Sequence, residues 1–149
     1  EDRISLLSAK CLHYSKKNVL IIDMGTCITY DFIDNNNIHH GGSISPGFES
    51  RYKILSDSTT KLPHLKYKTP DIITGDSPKN SIHSGIFYGI ISEIKYQIKF
   101  YTKQYKNVIV VITGGDSIFL SKSLKKGIFV DPNFIAQGLN YLLELNKIK

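Results

Sequence analysis

Val19-Leu20-Ile21-Ile22-Asp23-Met24-Gly25-Thr26-Cys27-Ile28-Thr29-Tyr30-Asp31-Phe32-Ile33-Asp34 is the stretch around which this chain is organised. Val19 to Ile22 is a short apolar run suited to a fully buried strand, and it ends abruptly on a carboxylate followed by Gly25 and Thr26. Cys27 to Ile33 is a second β-rich run with almost no gap before it. Asp23, Gly25 and Thr26 are therefore expected at a tight turn between two strands, with backbone amides free to face a ligand.

Two readings of that turn are open. In one, Gly25 admits an anion close to the backbone while the Thr26 hydroxyl and neighbouring amides donate to phosphate oxygens. Asp23 would repel phosphate unless a cation with oxygen ligands lies between them. In the other, Asp and Gly are simply hairpin turn residues.

Working outward, Asp2 to about His13 reads as a helix with Asp2 as a cap or first-turn acid. Asp34-Asn35-Asn36-Asn37 should return the chain antiparallel as a third strand, Ile38 to Ser45. Gly41-Gly42 in that strand suggests a bulge or a close neighbour, and Pro46-Gly47 ends it and opens a helix from Phe48 to about Thr60. Adjacent His39 and His40 should point to opposite faces, which argues against one metal taking both. Residues 62–70 read as a loop.

Ser77 and Pro78 are a good N-cap and first turn for a long helix, patterned from Asn80 to Tyr105. Ile82, Ile86, Ile90, Ile94 and Ile98 form an apolar stripe for a core or a partner subunit, beside a small-residue stripe of Ser81, Gly85 and Gly89 suited to close packing. Val108 to Ile112 is the most strand-like run and ends on Thr113-Gly114-Gly115-Asp116, with a helix expected from Ser117 to Leu124. Helix N-termini after such turns are anion sites. Phe129-Val130 with Asp131-Pro132 reads as an edge strand, and Phe134 to Leu145 as a closing helix.

At 149 residues the chain fits one domain, with no internal repeat or linker to split it. No apolar run approaches the roughly 20 residues that span a bilayer, and Glu1-Asp2-Arg3 does not open a signal peptide. Cys11 and Cys27 have no metal or disulfide spacing and read as packed thiols in a reducing cytoplasm. A net charge of +6 raises a nucleic-acid partner, but the lysines are scattered and no nucleic-acid motif is present, so a solvated surface is the expectation.

The order of elements, with a DxGT turn early and a TGG turn late, is similar to one half of the duplicated fold of actin, hexokinase and Hsp70 chaperones. That is an α/β, ribonuclease H-like unit with a mixed sheet and flanking helices. Within that group the chain resembles type III pantothenate kinase, which also includes Bvg accessory factor homologues. The resemblance rests on Asp2-Arg3, Asp23 to Thr26 with Thr29, Gly41-Gly42 through Pro46-Gly47, and Leu62-Pro63. It continues through Gly75 to Gly85, Thr113 to Gly115, Asp131-Pro132 and Gly138-Leu139.

The resemblance implies ATP-dependent phosphorylation of pantothenate, the first step towards coenzyme A, by a cytoplasmic homodimer with Mg²⁺ and K⁺ or NH₄⁺. It implies that Asp2 is the catalytic base for the substrate hydroxyl and that Arg3 binds substrate. Asp23 would be a ligand of the monovalent cation, and Gly25, Thr26, Thr113, Gly114 and Gly115 would contact ATP. Residues 1–149 would form a single C-terminal domain, with 1–15 ending the preceding segment and the N-terminal phosphate-binding half outside this chain. Pro78 stands where the family usually has a substrate-contacting threonine, and His83 where glutamine is common. The competing expectations are a non-catalytic regulator or remnant of the same fold, or another phosphotransferase of the superfamily.

Overall fold

The computed structural model describes residues 2–147 apart from 122, 125 and 126, and the side chains of Asp2, Arg3 and Ser121 lie outside the described ones. Helix α1 (Asp2–His13) leads into strands β1 (Asn18–Met24), β2 (Cys27–Ile33) and β3 (His39–Pro46). Helices α2 (Phe48–Asp57) and α3 (Pro78–Gln104) follow, then β4 (Val108–Thr113), α4 (Ser117–Ser121), β5 (Ile128–Val130) and α5 (Phe134–Lys147). The sheet order is β3-β2-β1-β4-β5. β2 is antiparallel to β1 and β3, whereas β4 is parallel to β1 and β5 to β4. Consequently β1, β3, β4 and β5 all run the same way, and their carboxyl ends emerge together.

Each face of the sheet is covered. Leu20, Ile22, Met24, Ile28, Tyr30, Phe32, Val110 and Ile112 pack against α2, α3 and α4, while Val19, Ile21, Ile33 and Val111 pack under α1 and α5. The predicted Ile stripe is that first layer's lid: Ile82, Ile86, Ile90 and Ile94 are buried and Ile98 is partly buried against them. Ser77 caps α3 through its hydroxyl, which accepts the Asn80 N–H at 3.3 Å, with Pro78 in the first turn.

On the other face α1 crosses α5 at Gly138, where a Cβ would overlap the Ser5 carbonyl oxygen and crowd the Ala9 amide. Lys10 is fully buried, with its ammonium donating to the Asp34 carbonyl at 2.8 Å and to the Asn37 side-chain oxygen. Burial lowers its pKa, and the Asp34 charge opposes that shift. These contacts fix α1 antiparallel to β1, so its first turn lies towards the carboxyl end of that strand.

Several boundaries differ from the sequence expectation. β1 continues through Asp23 and Met24, which pair with Thr29 and Ile28 of β2, Asp23 pairing with Thr113 of β4 as well, so the turn itself is only Gly25 and Thr26. β3 begins at His39, where a bulge opposite Phe32 places Gly41 at φ +89°. That bulge sends His39 to Asp31 (2.7 Å) and His40 to Asp34 (3.0 Å), so the two imidazoles diverge as expected. α2 stops at Asp57, where the Ser58 N–H closes on Ile54. α4 stops at Ser121; residue 122, within the expected helix to Leu124, lies outside the described residues. The thiols are not packed: Cys27 is exposed beside the turn and Cys11 is half-buried. Nor do Gly85 and Gly89 pack inside the chain, since both face outward and a Cβ at Gly85 would meet nothing within 4 Å.

Polar side chains tie the α2–α3 layer together. Glu93 accepts from Tyr30 at 2.7 Å, from Ser45, and from Arg51 at 2.6 Å. Burial raises its pKa, but those bonds outweigh it and hold the carboxyl below its ordinary value. Buried His83 pairs through Nδ1 with the Tyr52 hydroxyl at 2.7 Å, and burial pushes its pKa down from 6.5. Below pH 6.5 the unfolded chain takes up a proton that the folded chain resists, so stability falls as pH drops towards the folded value and is fully present above 6.5. Urea unfolding between pH 7.5 and 5 is expected, on the order of those ordinary histidine values, to lose midpoint in the wild type. His83→Gln should flatten that loss; an unchanged slope would remove His83 as its source.

Candidate functional site

Three turns meet at the shared carboxyl end of the strands. Between β1 and β2, the Gly25 N–H closes on the Cys27 carbonyl at 3.0 Å. The Thr26 carbonyl then accepts the Gly47 N–H at 2.9 Å and the Ser50 hydroxyl at 2.8 Å, which draws in the β3–α2 turn. The Met24 carbonyl accepts the Asp116 N–H at 3.1 Å, which draws in the β4–α4 turn. Two backbone bonds and the Ser50 hydroxyl therefore hold the three turns together.

The glycines divide into two kinds. Gly114 has φ +90°, and a Cβ there would overlap an Asp23 carboxylate oxygen and the Met24 backbone. A Cβ at Gly47 would overlap the Gly25 carbonyl oxygen. Those two are demanded by close approach. By contrast, a Cβ at Gly115 would meet nothing within 4 Å, and one at Gly25 would sit 4.0 Å from the Cys27 carbonyl oxygen. Neither has the left-handed conformation that requires glycine, so the fold itself leaves Gly25 and Gly115 open.

Asp23 and Thr113 are register partners across the parallel β1–β4 pair. Strand alternation places both side chains on the α1–α5 face, away from the α2–α3 layer. Asp23 is half-buried against Gly114, whereas Thr113 is fully buried and its hydroxyl has no hydrogen-bond partner among the described residues. This differs from the simple turn picture, in which Asp23 would face the same ligand as Gly25. Thr26 and Gly115 are exposed at the end of the sheet. The roles expected of Asp2 and Arg3 fall on side chains outside the described residues; the backbone of α1 begins at Asp2.

A neighbouring group carried no sequence signal beyond the TGGD run. The Tyr67 hydroxyl donates to Asp116 at 3.1 Å, and its ring stacks on Phe48 and meets Phe119 edge-on. Burial raises the pKa of Asp116, the Tyr67 bond opposes that rise, and the nearby Glu49 charge adds to it. A cavity of about 390 Å³ lined by Glu49, Tyr52, His64, Leu65, Lys66 and Tyr67 adjoins this side. Tyr67 comes from a segment without regular structure, so only tertiary contact could bring it here.

Chemically, the end of the sheet is suited to anions on one side and to a cation on the other. α2 and α5 both start here, directly after β3 and β5, and their N-terminal amides carry partial positive charge. A carboxylate beside an unpartnered buried hydroxyl supplies hard oxygen donors of the kind a monovalent cation takes. Among the described residues no group of three or more His, Cys, Asp or Glu could hold a metal ion.

A mixed sheet in this order, with its glycine turns gathered where β1, β3 and β4 end, is the ribonuclease H-like half of the actin, hexokinase and Hsp70 fold. A solved Campylobacter jejuni protein, named as a conserved Baf family transcriptional activator, superposes with a TM-score of 0.70 at 27% identity, over 99% of this chain and 65% of that one. The family model described as type III pantothenate kinase matches residues 1–100. Proteins named type III pantothenate kinase from Christiangramia forsetii and Flavobacterium psychrophilum are 47% and 42% identical over 99% and 98% of this chain. The chain belongs to the type III pantothenate kinase family. It spans 60% and 61% of the length of those two relatives.

The division of the glycines is testable. Gly114→Ala should cost about 1–3 kcal/mol in urea unfolding through overpacking, whereas Gly115→Ala should stay within about 0.5 kcal/mol. Equal losses would contradict the crowding at Gly114.

Proposed function

We propose that this chain contributes the substrate and cation half of an ATP-dependent kinase that phosphorylates pantothenate on its primary hydroxyl. The observation that carries the reading is the gathering, at one end of the sheet, of the Asp23 carboxylate, two open glycines and the first turn of the helix that begins Asp2-Arg3. Family membership supplies the reaction class.

In this reading Asp2 takes the proton from the attacking hydroxyl and Arg3 holds the substrate's carboxylate. Phosphoryl transfer needs positioning and charge neutralisation more than covalent chemistry, and a positioned base contributes about 10²–10⁴-fold. Exposed Thr26 and the open backbone at Gly25 and Gly115 receive the nucleotide, with no Cβ in the way. Thr113 and Gly114 act from behind: Thr113 is buried, and Gly114 makes room for Asp23. K⁺ or NH₄⁺ held at Asp23 would neutralise charge near the phosphates, and Mg²⁺ would arrive with ATP. Lys10 and Gly138 keep the Asp2 helix in register with the sheet.

The same reading includes a homodimer built on α3. Its outward stripe runs from small residues, Ser81, Gly85 and Gly89, through Ser92 to Tyr96 and Phe100, which are 67% and 48% exposed. A second copy laid antiparallel would seat the Tyr96 and Phe100 rings over the partner's glycines, so the stripe is complementary to itself about Ser92. The described residues contain no helix long and apolar enough to cross a membrane. The protein is read as cytoplasmic, without a specific nucleic-acid partner.

Two measurements test these statements. Full-length protein should form ADP only with pantothenate present, faster in K⁺ than in Na⁺, and Asp2→Asn should lower kcat about 10²–10⁴-fold. Pantothenate-independent turnover, or an unimpaired Asp2→Asn enzyme, would sink the assignment. For the dimer, Gly89→Trp should shift the mass measured by light scattering towards the monomer at micromolar concentration; an unaltered dimer would place the interface elsewhere.

A further inference from the structure

Thr113 is the residue whose chemistry the fold leaves unused. β4 is otherwise apolar, Val108-Ile109-Val110-Val111-Ile112, and a valine in place of Thr113 would match its shape without burying a hydroxyl. Yet the strand closes on Thr113, which is fully buried, and its Oγ1 has no hydrogen-bond partner among the described residues. A buried hydroxyl left unmade is costly, and such a group in a native structure needs an occupant for its lone pairs.

The neighbour that gives this hydroxyl meaning is Asp23. The two residues are paired in register on adjacent parallel strands, about 4.8 Å apart with their side chains on the same face. Gly114, held at φ +90°, leaves the space beside an Asp23 carboxylate oxygen that any side chain would fill. Among the described residues the other orphaned buried oxygen, Gln137 Oε1, belongs to a side chain whose amide nitrogen already donates to Asp131 at 3.1 Å, and Gln137 is not paired with Asp23.

We propose that the Thr113 hydroxyl is a direct oxygen ligand, beside the Asp23 carboxylate, of the monovalent cation. The proposal rests on the kinase reading for the presence of that cation, and it moves Thr113 from a nucleotide contact to the cation shell. One carboxylate with a neutral hydroxyl supplies a single negative charge and hard donors, which suits a singly charged ion better than a divalent one. Bound there, the cation ties the end of β1 to the end of β4. It thereby steadies the Gly114-Gly115 turn from its inner side, while the outer side stays open to the nucleotide.

The test reads binding rather than turnover. Thermal unfolding of full-length protein is followed as KCl replaces choline chloride at constant ionic strength. Wild type should gain stability with K⁺, because a ligand of the folded state raises the midpoint. Thr113→Val should require at least about tenfold more K⁺ for half of that gain, and Thr113→Ser should stay within about threefold of wild type. If the valine variant fails to fold, Thr113→Ala replaces it, with the serine variant as the control for the lost methyl.

A valine or alanine variant with the wild-type K⁺ midpoint overturns the Thr113 assignment and leaves a cation at Asp23 standing. A wild type indifferent to K⁺ overturns both the ligand and the cation. Pantothenate-dependent ADP formation, measured separately, then decides whether the kinase reading survives without it.

Discussion

The parallel pairing of β1 with β4 is the constraint on which the rest of the molecule depends. It joins strands separated in the chain by two strands and two helices, and it reaches past the apolar run of β1 to Asp23. Pairing with β2 already makes Asp23 a strand residue opposite Thr29. What β4 adds is a buried neighbour in Thr113 and a glycine shaped around the Asp23 carboxylate. The same pairing sets the height at which the Asp116 amide reaches the Met24 carbonyl, and so places the late turn against the early one.

Charge inside the fold is handled differently on the two faces. Under α1 a single buried ammonium, Lys10, is satisfied mainly by neutral oxygens of the β2–β3 turn, which locks the helix to that turn. Over β3, Glu93 is held ionised by a tyrosine, a serine and an arginine at the half-buried margin of the α3 layer. Breaking a partnered buried charge leaves the other group uncompensated, so such contacts specify geometry more than they add stability. Both serve here to hold helices whose ends bear on the site.

Much of the site was legible in the sequence, but not the directions in which its residues look. The runs Asp23 to Thr26 and Thr113 to Gly115 mark turns after buried strands, and the structure brings those turns together. What local pattern could not separate was Gly114 from Gly115: one is demanded by its own neighbours, the other is left open. Tyr67 was not legible at all, since its meeting with Asp116 depends on the loop crossing from α2 to α3, and Glu49 comes near Asp116 only because the first turn of α2 is drawn to the same end of the sheet. The two cysteines misled for a related reason, because hydrophobic composition does not report that Cys27 ends up at an exposed sheet end.

By itself, the sequence determined the elements: short continuous apolar runs for the buried strands, an Ile stripe for α3, a Ser-Pro cap, and glycine turns where strands end. It also carried family membership, through motifs in fixed order. Only the tertiary structure decided that Asp23 and Thr113 share a face away from Gly25, that α1 returns its first turn to the end of β1, and that the glycine stripe of α3 stays uncovered. The physical reason is that periodicity along one element records which side is apolar, whereas register between elements is set by backbone pairing and close packing. Those are settled only once distant strands and helices are in contact.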